Sequence, residues 1–189
     1  MKAATRKDEI IKTAARLFKE KGYSAVTMRD LATALGIKAA SLYNHINSKQ
    51  EILKEIIISL AEDFTEGMEI IINSNDSSLD RLSQIIRLHI KISSENIYGM
   101  ASLNNDWMHL ENQLDYYLKL RTDYEDNFRN IIKAGIKNKE LLNDNPDVML
   151  FSMLSTLRSL YIWIPKKEEL NQDELVESLS KVLIQGISK

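Results

Sequence analysis

The stretch from Thr27 to Asn47, TMRDLATALGIKAASLYNHIN, constrains this chain more than any other, because it fits two short helices and a forced turn into about twenty residues. Leu31, Ala32 and Leu35 fall at i, i+1 and i+4, one face of a first helix that Thr27 is placed to cap. Gly36 ends that helix, since glycine takes the left-handed conformation that other residues adopt only at a cost. A second helix is predicted from Ala39 to Ile46, with Leu42 and Ile46 inward and Ser41, Asn44 and His45 outward. Such a pair is the helix-turn-helix that lays its second helix in the DNA major groove; an ordinary helical hairpin in a bundle has the same pattern.

The charge distribution separates these readings. Residues 1–50 hold ten Lys or Arg against four Asp or Glu, a balance of +6, whereas the remaining residues hold fifteen against twenty-three, a balance of −8. A basic first quarter on an acidic remainder suits a nucleic-acid-binding head on a body that does not bind, because phosphate contacts supply most non-specific affinity.

With two prolines and six glycines in 189 residues, little interrupts long helices, and an all-α fold is expected. No cysteine is present, so a thiolate metal site, a Cys nucleophile and a disulfide framework are all excluded. The first residues are charged and no apolar run approaches the roughly 18 residues that span a bilayer, so the expectation is a cytoplasmic protein with no membrane partner.

Along the chain, helix starts are marked by one recurring chemistry. Thr5 with Asp8, Thr27 with Asp30, Ser48 with Glu51 and Ser77 with Asp80 all have the capping-box spacing. The first predicted helix runs from Arg6 to Lys21 and stops at Gly22; the fourth, from Ser48 to about Asn73, carries Ile52, Ile56, Leu60, Phe64, Met68 and Ile71 along one stripe. After the polar break NSNDSS come a helix from Ser78 to Ser93, an irregular aromatic segment from Glu95 to Leu110, and a long helix from Gln113 to Lys139. Asn145 before Pro146 starts a helix predicted to reach Trp163, and Asn171 with Glu174 starts the last one, through Ile187.

The head also resembles a known family. Ile10, Ala14, Phe18, Gly22, Tyr23, Thr27, Met28, Leu31, Ala32, Leu35, Gly36, Ile37, Leu42, Tyr43, His45, Ser48, Lys49 and Leu53 follow, in order and without gaps, the pattern of the TetR family of bacterial transcriptional regulators. Lys38, Ala40 and Ile46 depart from it, standing where Ser, Gly and Phe are usual. The resemblance implies a three-helix DNA-binding head over residues 4–64 with the helix-turn-helix at 27–46, joined by a long helix to a helical ligand-binding and dimerisation domain over 75–189. It further implies that Tyr43 and Lys49 hold phosphates, that Thr27 brings its hydroxyl to the DNA backbone, and that Lys38, Ala39, Ser41, Asn44 and His45 lie nearest the groove. Partners implied are a double-stranded DNA operator, a small-molecule effector and a second copy docked through the last two helices, whose apolar stripes equally fit an internal core.

The effector is expected among the aromatic, least regular parts: Tyr98, Trp107, His109, Tyr117, Tyr124, Phe128 and Trp163, with Arg121 and Arg158 as cations for an acidic ligand or for an internal carboxylate. The run Arg121, Tyr124, Glu125, Phe128, Ile132, Gly135 and Ile136, followed by Leu160–Trp163, resembles the subgroup that responds to acyl-CoA thioesters. No metal or cofactor is expected, because a paired Glu-x-x-His pattern and a phosphate-binding glycine loop are both absent. Ser178-Leu-Ser-Lys181 matches the Ser-x-x-Lys motif of some serine hydrolases, but it falls on a regular amphipathic helix and lacks the companion motifs. The competing class is a helical enzyme or structural partner protein with an incidental helix-turn-helix.

Overall fold

The computed structural model describes residues 5–167 and 171–186. Ten α-helices and three short 3₁₀ turns account for the ordered backbone among them, with no β-strand, so the fold is all-α as expected. The helices are α1 (Arg6–Lys21), α2 (Met28–Ala34), α3 (Ala39–Tyr43), α4 (Lys49–Ile72), α5 (Ser78–Glu95), α6 (Ile97–Asn105), α7 (Leu114–Lys137), α8 (Pro146–Arg158), α9 (Leu160–Trp163) and α10 (Gln172–Gln185). Ile187, expected on the last helix, lies outside the described residues. The chain forms two compact units, one of residues 1–61 and 96–117, the other of 62–95 and 118–189.

In the first unit the caps set the corners. Thr5 Oγ1 accepts from the Asp8 N–H at 3.2 Å while Asp8 returns a bond to the Thr5 N–H at 2.8 Å, closing the first capping box. At α4 the box is modified: Ser48 Oγ accepts from Glu51 N–H at 3.0 Å, but the Glu51 carboxylate reaches one residue further and takes the Asn47 backbone and side-chain N–H groups, both at 2.9 Å. Ile10, Ala14, Phe18, Val26, Leu31, Leu42, Ile46, Ile52, Leu53 and Ile57 form the core. Burying each Leu or Ile is worth about 1.5–3 kcal/mol. That outweighs local propensity in helices of seven and five residues, which do not hold by themselves. Helix α6 packs along α1. On its other contact, Gly99 lets α6 lie close to α4, since a Cβ there would stand 2.9 Å from Leu60 Cδ1.

In the second unit α5 buries Leu82, Ile85, Ile86, His89, Ile90, Ile92 and Ser93, and α10 lies against it with an Arg87–Asp173 ion pair at 2.7 Å. Asn145 Oδ1 caps α8 by accepting from Asp147 N–H at 2.9 Å, with Pro146 in the first turn. The single helix predicted from Pro146 to Trp163 is broken at Ser159. Thr156 and Ser159 turn their hydroxyls back onto the carbonyls of Ser152 and Ser155, at 3.2 and 2.9 Å, a competition with the helical ladder that bends helices. The stretch Pro146–Lys166 is long and apolar enough by composition to cross a bilayer, contrary to the sequence expectation. Its Met149, Leu150, Met153, Leu154, Leu157, Leu160 and Tyr161 are buried in the unit, while Val148, Phe151 and Ile162 face outward.

Candidate nucleic-acid interface

The Thr27 capping box starts α2: Asp30 accepts from the Thr27 N–H at 2.8 Å and from its hydroxyl at 2.6 Å, and Asp30 N–H returns to Oγ1 at 3.2 Å. The Thr27 hydroxyl holds the Asp30 carboxyl below its ordinary range, so the cap is charged at neutral pH. Gly36 turns the chain with φ of +66°, and the Ile37 N–H reaches back to the Ala32 carbonyl at 3.0 Å. A side chain at Gly36 would be strained in that conformation.

Helix α3 spans only Ala39–Tyr43 rather than reaching Ile46. Lys38 supplies no side-chain cap at its start, and the cap of α4 at Ser48 follows too soon for it to continue. Leu42 is fully buried and Ile46 nearly so. Lys38, Ala40, Ser41, Asn44 and His45 are exposed, Ala39 half-buried, and Tyr43 shows half its surface to solvent. The outer side of α3 and of the turn after it is thus small, polar and rich in hydrogen-bond donors.

Lys49 does something else. Its ammonium bonds the carbonyls of Tyr23 and Val26, each at 2.8 Å, lies 3.5 Å from that of Ser24, and sits 4.2 Å from the centroid of the Tyr23 ring. Burial lowers its pKa. A lysine has three donors, and here all three point at backbone carbonyls of the loop before α2.

Comparison with known proteins matches this geometry. The family described as "Bacterial regulatory proteins, tetR family" matches residues 10–56, and "Tetracyclin repressor-like, C-terminal domain" matches residues 75–187. The chain belongs to the TetR family. It is a DNA-binding transcriptional regulator, not an enzyme. It is 34% identical over 147 residues to the biofilm operon negative transcriptional regulator IcaR of Staphylococcus aureus (strain Newman), covering 67% of this chain and 77% of that protein. Over 186 residues it is 24% identical to the transcriptional repressor KstR2 of Rhodococcus jostii (strain RHA1), covering 97% and 91% of the two chains. The fold matches that of the ketosteroid transcriptional regulator KstR2 of Mycobacterium tuberculosis with a TM-score of 0.91 at 21% identity, over 100% of this chain and 97% of that one.

The nine effector candidates in this TetR regulator do not gather in one unit. Tyr98, Trp107, His109 and Tyr117 belong to the first. There Trp107 stacks on Tyr117 with centroids 6.0 Å apart, His109 stacks on Tyr23 at 5.2 Å, and the half-exposed Tyr98 has the Lys19 ammonium 5.2 Å from its ring. Arg121, Tyr124, Phe128, Arg158 and Trp163 belong to the second. Trp163 is half-exposed under the Lys167 ammonium, whereas Tyr124 and Phe128 are buried. Arg121 Nε and Arg158 Nη2 both donate to Glu125 Oε1, at 3.1 and 2.6 Å. Burial alone would raise the Glu125 carboxyl, but the bonds from Arg158 and Arg121 outweigh it and hold the group below its usual range. The two cations therefore face an internal carboxylate.

Reasoning from sequence missed the polar centre of this unit. His89 is wholly buried with Nε2 2.9 Å from the Tyr124 hydroxyl and its ring 4.7 Å from that of Phe64. Burial pushes its pKa down to about 3 and raises that of the Tyr124 phenol, so both groups are neutral at pH 7. The pair carries two polar protons and shares one hydrogen bond. One donor, on Nδ1 or on the phenol according to tautomer, is therefore left over. His89 Nδ1 and Ser93 Oγ, one turn apart on α5, meet no hydrogen-bond partner among the described residues. The available signal was a histidine in an otherwise Ile- and Leu-lined stripe. Among the described residues no three His, Asp or Glu side chains gather as a metal site.

Proposed function

We propose that this TetR regulator is a cytoplasmic repressor that occupies a near-palindromic operator as a homodimer and leaves it when a small apolar or acyl-CoA-like effector binds its C-terminal domain. Labour divides between a head of residues 4–64 and an effector and dimerisation domain of 75–189, a division that the two family matches support. The carrying observation is the outward face of α3 and its following turn, where polar side chains stand exposed on an anchor of buried Leu42 and Ile46. Asn44 has the donor and acceptor pair that an adenine edge takes, Lys38 suits guanine, and Ala39 or Ala40 suits a thymine methyl. Ser41 and His45 flank them, with Thr27 beside the DNA backbone. Of the two residues that the family resemblance assigns to phosphate, Tyr43 keeps that role, its side chain half-exposed; Lys49 takes another, argued below.

The dimer uses α8 and α10. Val148, Phe151 and Val182 are 62%, 72% and 69% exposed, and a second copy supplies their cover. The effector reading rests on the second unit's interior, which is apolar with a few uncharged polar groups, the composition of a small-molecule site. The neutral His89–Tyr124 pair and Ser93 favour a ligand that brings an uncharged oxygen acceptor, such as a ketone or thioester carbonyl, among Phe64 and Phe128. A buried carboxylate is disfavoured because Arg121 and Arg158 already share Glu125.

The test is gel retardation of a duplex spanning the region upstream of the chain's own gene, at low salt. Retention that weakens steeply as salt rises supports the reading; no retention at low salt, with retained catalytic turnover of a candidate ligand, replaces it by the enzyme alternative.

A further inference from the structure

The loop from Tyr23 to Val26 leads straight into Thr27, the cap of α2, so whatever fixes this loop fixes the pose of the helix-turn-helix. Two elements hold it. From α4, Lys49 bonds its carbonyls, and the Tyr23 phenol donates to Gln50 Oε1 at 2.6 Å. From the 3₁₀ turn at Trp107–His109, the His109 ring stacks on the Tyr23 ring, 5.2 Å between centroids and 29° between planes. Gln50 joins the two, since its Nε2 donates to the His109 carbonyl. Its amide works in one orientation only: turned over, it would set its oxygen, which cannot donate, against the His109 carbonyl.

The far anchor is also fixed. Leu110 is buried, and Glu111 beside it holds a φ of +47°, a left-handed conformation that a glutamate keeps only when its flanks are pinned. Asp106, on the other side of His109, has its carboxyl raised by burial.

We propose that Lys49, Gln50 and His109 are positioning residues for DNA binding, which clamp the Tyr23–Val26 corner and thereby set the angle at which α2 and α3 meet DNA. Lys49 serves the protein's own carbonyls rather than phosphate. His109 lies outside the sequence that matches the DNA-binding family domain, so the head is incomplete without a segment of the chain more than fifty residues further on.

Full-length variants test this at temperatures where all are folded, by fluorescence anisotropy on a labelled duplex from the upstream region and by amide hydrogen exchange without DNA. Tyr23→Phe weakens DNA binding about 3- to 10-fold, the worth of one part-buried hydrogen bond, and Gln50→Leu, which loses two, weakens it at least as much. The double variant is no weaker than the worse single one, because both cut the same chain of bonds. His109→Phe, which keeps the stack, binds like the parent, whereas His109→Leu does not. Exchange at the amides of residues 24–30 speeds up several-fold in Gln50→Leu while α5 amides stay unchanged. Lys49→Met weakens binding with an unaltered salt slope. A slope lower by about one in Lys49→Met makes Lys49 a phosphate ligand and overturns its part in the clamp. Unchanged loop exchange in Gln50→Leu overturns the clamp as a whole, whether or not the duplex is bound.

Discussion

Two polar regions of this regulator, the outer face of α3 and the His89–Tyr124–Ser93 centre between α5 and α7, differ in how their polar groups are satisfied. On α3 and the turn after it, Lys38, Ser41, Asn44 and His45 face solvent, where water satisfies them and, on the proposed reading, DNA would replace it. Around His89 the groups are buried, where a donor without an acceptor costs about 1–3 kcal/mol. The first arrangement is free to keep and exchangeable. The second is a standing cost that a ligand oxygen or a water would relieve; on the reading proposed above, the first surface reads DNA and the second interior receives the effector.

The largest effect that sharpens this contrast is on packing. Phe128→Ala removes a fully buried ring and should lower unfolding free energy by about 3–5 kcal/mol in urea titration, whereas Asn44→Ala should stay within about 0.5 kcal/mol. Equal losses would mean that α3 is part of the core.

Next comes pH. With His89 depressed to about 3 in the fold and near 6.5 when unfolded, the unfolded chain binds the extra proton between those values, so stability is complete above pH 6.5 and falls as pH drops toward 3. His89→Phe should remove up to about 1.4 kcal/mol per pH unit of that slope, read as the difference between the two proteins' unfolding curves from pH 6.5 to 4.5. Parallel curves would place the His89 proton outside the folding balance.

On the other side of the comparison, Tyr43→Ala should weaken binding to all duplexes alike, while Asn44→Ala should cost about 1–3 kcal/mol only where its adenine is present, by competition between duplexes. The smallest effect is at the uncapped start of α3. Lys38→Ser adds a cap worth about 0.5–1 kcal/mol of stability, and it lowers the salt slope if Lys38 touches DNA.

The surface was legible because its grammar is local. Capping boxes at Thr5 and Thr27, Gly36 in the turn and the four-residue spacing of Leu42 and Ile46 act within a few residues, and the helices follow them. What was not legible is what distant segments do to each other. Nothing near Lys49 says that its ammonium will turn onto residues 23–26, and nothing near Gln50 announces the His109 carbonyl 59 positions away. Arg121 and Arg158 read as partners for either an acidic ligand or an internal carboxylate, and only folding chose between the two by setting Glu125 against both. The break at Ser159 lay in plain view as a run of Ser and Thr, but the apolar spacing on either side of it masked it.

The most direct measurement is a hydroxyl-radical footprint of the chain on its own upstream DNA. Two protected half-sites related by a dyad, centred about one helical turn apart or a multiple of it, are the predicted result, with Asn44→Ala losing protection in both halves together. Uniform weak protection, or an identical footprint for Asn44→Ala and the parent on every sequence, would contradict the claim that the outer face of α3 reads DNA.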